Sequence, residues 1–356
     1  MKLLIAGGGT GGHVFPALAV AREWLSRSDA REVIFVGTER GMEKNLVPQA
    51  GLPLETIRSA GLKGMGPVRL ARNLAQLGPG LWDSDRILRR HRFAAAFGAG
   101  GYAAGPVLLM AELHGIPSVI FEPNAEPGFT NRVLASMATR IAVGYPSAAE
   151  RLGRRAVVTG CPVRRDFFYA EERQPAPPYR ILITGGSQGA HVINAAMIAA
   201  LDSLSAQRTQ LSIVHQTGER DYNEVREAYA RREFQAEVAP FLSDMPERFA
   251  AADLIVCRSG AVTVAEVAAA GRAALFIPFG AATDSHQLRN AQEMVSAGAA
   301  LLVLQQELTG ERLAREIAAV IAQPQRLVGL AENAREMARP NAARDIVKLI
   351  EEVCRT

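Results

Sequence analysis

Lys2-Leu3-Leu4-Ile5-Ala6-Gly7-Gly8-Gly9-Thr10-Gly11-Gly12-His13 opens the chain, and Arg180-Ile181-Leu182-Ile183-Thr184-Gly185-Gly186-Ser187-Gln188-Gly189-Ala190 repeats its plan in the second half. In both stretches a short apolar run gives way to a glycine cluster and then to helical spacing, which predicts strand, tight turn and helix. Similar runs at 33–36, 94–97, 119–121, 141–143, 213–215, 254–257 and 275–278 alternate with amphipathic stretches. Alternating strand and helix predicts parallel sheets. At 356 residues the chain exceeds what one core usually serves, so two Rossmann-like α/β domains are expected.

Composition narrows the function classes. Cys161, Cys257 and Cys354 are odd in number, widely spaced and free of metal-ligand patterns, which predicts a reducing compartment and no structural zinc. No apolar run approaches the roughly 20 residues of a membrane span, and the run after Met1-Lys2 is too short for a signal-peptide core. The expectation is therefore a protein neither exported nor membrane-spanning. Residues 1–178 hold 22 Lys/Arg against 15 Asp/Glu, while the remainder holds 18 against 21. Much of the excess lies in 63–92, with Lys63, Arg69, Arg72, Arg86, Arg89, Arg90 and Arg92 against Asp83 and Asp85. That asymmetry predicts an anionic partner for the first half. Nucleic acid is not expected, because the basic segment lacks interleaved stacking aromatics. Pro175-Ala176-Pro177-Pro178 can continue neither a helix nor a central strand and is read as the interdomain linker.

Glycine loops that follow a strand and open a helix let backbone N–H groups and the helix dipole converge on a phosphate. The 7–12 loop also satisfies G-x-G-x-x-G, with Glu39 available as the ribose acid of a dinucleotide site. The 185–190 loop adds the Ser187 hydroxyl and the Gln188 amide. A third cluster, Gly98-Ala99-Gly100-Gly101-Tyr102, ends another strand on the same sheet edge. Two phosphate cradles point to two anionic ligands, one per half; the alternative for the 7–13 loop is a tight turn packing helix on strand, though so many glycines are more than a turn requires.

Arg258-Ser259-Gly260-Ala261-Val262-Thr263-Val264-Ala265-Glu266 opens a further helix and places a carboxylate suited to a ribose diol, or one that merely answers the dipole of the first turn. Ser285, His286, Gln287 and Asn290, with Asp284, head another helix and could read sugar hydroxyls or simply cap it. His13 stands at a helix N-terminus, where the dipole favours its neutral, proton-accepting form. Glu122 and Asn124 follow a strand end, where a carboxylate could serve as base or hydroxyl ligand. Asp83-Ser84-Asp85 has the spacing of a divalent-cation site but falls in a helical stretch, where residues two apart face different ways. No metal is expected.

The 7–13 stretch with Val14-Phe15-Pro16, Gly100-Gly101-Tyr102, Pro162-Val163-Arg164, the 185–190 loop and the 258–266 stretch together resemble the MurG family of peptidoglycan glycosyltransferases, over essentially the whole chain. The resemblance implies the GT-B architecture of two Rossmann-like domains whose parallel sheets face a cleft. It implies inverting, metal-independent transfer of N-acetylglucosamine from UDP-N-acetylglucosamine to lipid I, the undecaprenyl-diphosphoryl N-acetylmuramyl pentapeptide, giving lipid II. It divides the chain into an acceptor and membrane-side domain, 1–162 with a C-terminal helix at 341–356, and a donor domain, 163–340.

Carried over by motif, the resemblance assigns the donor to Thr10, Gly11, Gly12, Asn124, Arg164, Ser187, Leu242, Glu266 and Gln287, together with Ala261, Val262, Thr263, Val264 and Ala265. It assigns the acceptor to Gly8, Gly9, Gly100, Gly101, Tyr102 and Asn131, and the reaction centre to His13 and Glu122, without saying which of these two takes the proton. Pro123 and Ser285-His286 depart from the family pattern.

A peripheral location on the cytoplasmic face of an anionic membrane follows, with Leu70, Leu74, Leu77, Leu81, Trp82 and nearby arginines as the docking face and other cell-wall synthesis proteins as further partners. In this reading Gly78-Pro79-Gly80 interrupts the docking helix. The rival readings are another GT-B UDP-sugar enzyme, either a transferase to a different lipid or a sugar-nucleotide epimerase, then a dehydrogenase, and a non-catalytic nucleotide-sugar module.

Overall fold

The structure is a computed structural model that describes residues 1–59, 77–280 and 285–355. It divides into two compact units, 1–164 with 339–356 and 165–338.

Unit 1 is built on a seven-stranded sheet in the order β3-β2-β1-β4-β5-β6-β7, with every described ladder parallel. Its strands are β1 Lys2–Gly7, β2 Glu32–Gly37, β3 Leu54–Thr56, β4 Ala95–Gly100, β5 Ser118–Glu122, β6 Arg140–Val143 and β7 Ala156–Val158. Leu3, Leu4, Ile5 and Ala6 are all fully buried, because helices cover both faces of a parallel sheet and a central strand cannot alternate apolar with polar. Unit 2 repeats the plan with six strands in the order β10-β9-β8-β11-β12-β13. These are β8 Tyr179–Thr184, β9 Leu211–Gln216, β10 Ala236–Ala239, β11 Leu254–Cys257, β12 Ala273–Phe276 and β13 Leu301–Leu302.

In both sheets the winding reverses beside the first strand, between β1 and β4 and between β8 and β11. Loops leaving the carboxyl ends of such a pair diverge to opposite faces and leave a crevice at the sheet edge. The glycine loops leave these four strands.

The nine apolar runs picked out in the sequence all contribute to interior strands, whereas β3, β7, β10 and β13 escape that reading. All four are sheet edges of two to four residues. An edge strand has one hydrogen-bonding side unpaired and is partly solvated, so its composition carries little apolar signal; Val157 and Val158 of β7 stand 40 % and 41 % exposed.

The linker reading of 175–178 is corrected by the packing. The chain enters unit 2 already at Arg165, where a 3₁₀ turn, Arg165–Tyr169, buries Phe167 edge-on against Phe249 at 5.2 Å. Arg173 then donates to the buried Asp253 at 2.7 Å, and the same carboxylate accepts from the backbone N–H of Arg180 at 2.8 Å. The prolines are thus part of unit 2.

The last helix, Ala342–Val353, buries Ile346, Val347, Leu349, Ile350 and Val353 within unit 1. Its Glu351 pairs at 2.7 Å with Arg31, whose guanidinium lies 4.2 Å from the Trp24 ring centre.

Among the described residues a helix runs Leu77–Arg90 and includes the Gly-Pro-Gly stretch, while the part of the expected docking helix before it lies outside the described residues. Within this helix Asp83 is held in a fork by Arg58, at 2.8 Å to both oxygens, while Asp85 takes Arg89 and His114, each at 2.7 Å. The two carboxylates are therefore drawn to different partners.

Candidate functional site

In unit 1 three strand ends meet. The first glycine loop leaves β1 and opens the helix Gly11–Leu25, with Thr10 as its extended N-cap residue. The loop after β4 lies against it so closely that a Cβ on Gly101, which has φ +84°, would strike the carbonyl oxygen of Gly8. Gly100, with φ +94°, leaves room for the ring of His13: a Cβ there would stand 2.6 Å from His13 Cδ2 and 3.0 Å from Nε2. Glycine is required at both positions by backbone angle and by contact. Tyr102 is 56 % exposed beside Gly9, and its carbonyl accepts from the Ser59 hydroxyl at 2.7 Å.

Glu43 was not singled out in the sequence, where Glu39 was offered as the ribose acid of a dinucleotide site; Glu39 is an exposed turn residue. Glu43 is buried beneath the first loop and accepts from the N–H of Gly9 at 2.8 Å, from the N–H of Thr38 at 2.8 Å and from the Thr38 hydroxyl at 3.0 Å. A Cβ on Gly8 or Gly41 would collide with its carboxylate, and one on Gly37 with its Cγ. One donor of the loop is thus satisfied from within, and the loop is preset by a carboxylate. The available signal was the run of glycines around it, since only a side chain filling the space explains why three of them must lack a Cβ.

Glu122 ends β5 and is buried. Its Oε1 accepts from the N–H and the Nδ2 of Asn124, both at 2.9 Å, while Oε2 accepts from Gly128 N at 2.8 Å and Asn131 Nδ2 at 2.9 Å. Asn131 donates also to the Phe121 carbonyl at 2.9 Å. Glu122, Asn124 and Asn131 therefore form one network.

His13 is partly exposed, with Nδ1 3.4 Å from the Thr10 hydroxyl. Burial lowers its pKa from the ordinary value, opposed by the negative charge of Glu122, a hydrogen bond that the ring donates to the Gly8 backbone carbonyl and the charge of Glu43. The sequence pointed to the helix dipole for this effect; in the folded chain desolvation acts in the same direction. Arg164 stacks 5.9 Å from the Phe15 ring centre, and a Cβ on Gly11 would touch that same ring. Thr10, Gly11, Gly12, His13, Asn124 and Arg164 thus belong to unit 1 together with Gly8, Gly9, Gly100, Gly101, Tyr102, Glu122 and Asn131.

In unit 2 the second glycine loop leaves β8 and opens the helix His191–Ala200. Gly186 and Gly189 have φ +92° and +73°, and the Gly189 N–H closes the turn on the Gly186 carbonyl at 2.9 Å. Ser187 lies exposed at the tip. Leu242 follows β10 and is buried, and its N–H donates to Gln216 Oε1 at 2.8 Å. Beyond β11, Ser259 is fully buried and donates to the Gln287 carbonyl at 2.8 Å, which ties the start of the helix Ala261–Ala270 to the start of the helix His286–Ser296. Gln287 Oε1 in turn accepts from the Phe279 N–H at 2.9 Å. Asn290 reaches the Ser259 carbonyl at 3.2 Å. Arg258 clamps the carbonyls of Ile277 and Pro278 at 2.9 and 3.1 Å, and desolvation lowers its pKa.

Ala261, Val262, Thr263, Val264 and Ala265 form the first turns of their helix, and Glu266 comes in the second turn. The first-turn dipole explanation for that carboxylate falls away. Ser187, Leu242, Glu266 and Gln287 are all carried by unit 2. Asp284, Lys63, Arg69, Leu70, Arg72 and Leu74, and the side chain of Leu77, lie outside the described residues. Trp82 is 61 % exposed; nearby Arg86, Arg89 and Arg90 are exposed, with Arg89 and Arg90 paired to Asp85 and Glu55.

The glycosyltransferase family 28 N-terminal domain matches residues 3–143, and the glycosyltransferase family 28 C-terminal domain matches 180–350. The UDP-N-acetylglucosamine--N-acetylmuramyl-(pentapeptide) pyrophosphoryl-undecaprenol N-acetylglucosamine transferase of Pelobacter propionicus is 45 % identical, covering 98 % of both chains. The crystal structure of Acinetobacter baumannii MurG superposes with a TM-score of 0.81 at 34 % identity over 99 % of both chains. The UDP-GlcNAc 2-epimerase of Neisseria meningitidis bound to UDP-GlcNAc reaches a TM-score of 0.71 at 15 % identity, a likeness of fold alone.

Proposed function

The chain belongs to glycosyltransferase family 28, and from that membership we propose that it transfers N-acetylglucosamine from UDP-N-acetylglucosamine to lipid I, forming lipid II. The observation that carries this reading is the 45 % identity over 98 % of both chains to a relative named for that transfer. A glycine loop at the winding reversal of each sheet supports it, because the donor and the acceptor each carry a diphosphate.

Unit 2 takes the donor: the loop bearing Ser187 holds the diphosphate, Glu266 the ribose diol, the backbone at Leu242 the uracil and Gln287 the sugar. Unit 1 takes the acceptor diphosphate at the two loops that carry Gly8, Gly9, Gly100 and Gly101, beside Tyr102, with the Gly9 N–H held by Glu43. Thr10, Gly11, Gly12, Asn124 and Arg164 complete the donor contacts. The acceptor hydroxyl attacks the anomeric carbon as the bond to the UDP oxygen breaks, which inverts that centre. The charge developing on UDP is met by the N–H groups and helix N-terminus of the 185–190 loop, with no metal required.

His13 accepts the proton. Burial lowers its pKa and so favours the neutral, proton-accepting form. Glu122 has both oxygens engaged by four donors and acts on His13 through its charge, raising the basicity that burial lowers.

Among the described residues no helix is long and apolar enough to cross a membrane. The protein works peripherally on the cytoplasmic face of an anionic membrane, where the exposed Trp82 and Arg86 belong to the docking face, in company with other cell-wall synthesis proteins.

The test is transfer of labelled N-acetylglucosamine to a short-chain lipid I analogue with chelator present. Wild type should be active; Glu266→Ala should lose mainly donor affinity and His13→Ala mainly turnover. Wild type that binds the donor yet transfers nothing to this acceptor would reject the acceptor assignment.

A further inference from the structure

Gln216 is the last residue of β9, and its side chain is almost fully buried between the loops that leave the two neighbouring strands. Its Nε2 donates to the Gly186 carbonyl at 2.8 Å and reaches the Thr184 hydroxyl at 3.3 Å. That hydroxyl accepts from the Gly186 N–H at 3.2 Å, and the Gly186 carbonyl closes the turn with Gly189. The other end of the same carboxamide, Oε1, accepts from the Leu242 N–H at 2.8 Å. One side chain therefore braces the glycine loop with its donor end and the loop at Leu242 with its acceptor end.

We propose that Gln216 is a positioning residue that holds the diphosphate loop and the nucleobase loop of unit 2 at one spacing, so that a nucleoside diphosphate meets both at once. The inference rests on the donor-site assignments given above. The side-chain chemistry is demanding: glutamate of the same length has no donor for the Gly186 carbonyl, methionine has neither a donor nor a strong acceptor, and asparagine is one methylene short. A ligand that touches one loop gains little from their spacing. One that spans both gains the advantage of a preset pair, because neither loop has to be ordered after the other is bound.

Affinities of uridine, UDP and UDP-N-acetylglucosamine for the full chain, measured by calorimetry for wild type, Gln216→Met and Gln216→Glu, test this directly. Loss of the brace should weaken UDP and the nucleotide sugar by about tenfold, the scale of one or two buried hydrogen bonds, while uridine changes by no more than about twofold. In the transfer assay KM for the donor should rise by a larger factor than kcat falls. Gln216→Glu keeps the acceptor for Leu242 and sets an oxygen against the Gly186 carbonyl, so it should lose UDP affinity as well. Equal losses for uridine and UDP, or an unchanged UDP affinity in a folded Gln216→Met protein, overturn the proposal. Wild type that fails to bind UDP rejects the donor site itself and is a separate outcome. Should Gln216→Met not fold, as judged by circular dichroism, Thr184→Val removes the supporting hydroxyl alone. It should weaken UDP about threefold with uridine unchanged, and equal effects on both would again overturn the inference.

Discussion

Replacing Glu122 by glutamine keeps the size of the side chain and removes its charge, at a position where four donors converge within 2.9 Å on two oxygens. An amide retains one acceptor oxygen for one pair of donors and turns an NH₂ group toward the other pair. Two hydrogen bonds to a charged group are then lost, each worth about 1.5–3 kcal/mol, and relaxation of the 122–131 loop recovers part of that, which leaves a net destabilisation of about 3 kcal/mol. The same substitution acts on His13. Glu122 raises the pKa of that histidine against the larger effect of burial, so its removal lowers the pKa further. Activity that depends on neutral His13 falls as pH drops through this pKa, and the acid limb of the rate profile should therefore move to lower pH in Glu122→Gln. Urea unfolding and an NMR titration of the His13 ring measure the two effects in one protein. A stability change below about 0.5 kcal/mol, or an acid limb displaced upward, refutes the view of Glu122 as a saturated acceptor acting through His13.

Three other outcomes follow from the geometry. Burial holds His215 at about 3 against its ordinary 6.5. The unfolded chain therefore takes up the proton first, and stability is constant above pH 6.5 and falls below it, by about 3 kcal/mol at pH 4. His215→Gln should flatten that part of the pH dependence of unfolding, and an unchanged slope rejects it. Gly101→Ala must accommodate φ +84° and a collision with the Gly8 carbonyl, whereas Gly51→Ala at φ +74° meets nothing within 4 Å. Thermal unfolding should show about 3 kcal/mol lost in the first and about 1 kcal/mol in the second, and equal losses would mean that the contact between the loops is unimportant. Arg173→Met strips the partner from the buried Asp253 and should cost about 2 kcal/mol, below the roughly 3–5 kcal/mol of a fully buried pair because Arg173 itself is partly exposed; a neutral result in urea would return the 165–178 segment to the status of a linker.

Interior strands and glycine loops were legible because their signals are local. A strand covered on both faces must be apolar throughout, as residues 3–6 and 254–257 are, and a positive φ is written directly as glycine at positions 100, 101, 186 and 189. The resemblance to a glycosyltransferase family rested on those same loops in order, and the family matches at 3–143 and 180–350 bear it out.

Edge strands, the true entry into unit 2, and the side chains that brace the loops were not legible. The last turned on contacts between residues far apart in the chain: Glu43 lies 34 positions from Gly9, and Gln216 lies 26 from Leu242 and 30 from Gly186. A buried glutamate and an exposed one read alike in one dimension, so Glu39 drew the attention that Glu43 warranted. Which polar groups end up facing one another depends on strand order and on how far each strand extends toward the sheet edge. Those are properties of the assembled sheet, where hydrogen bonding between distant segments selects which carboxylate or amide is buried and which is left to water.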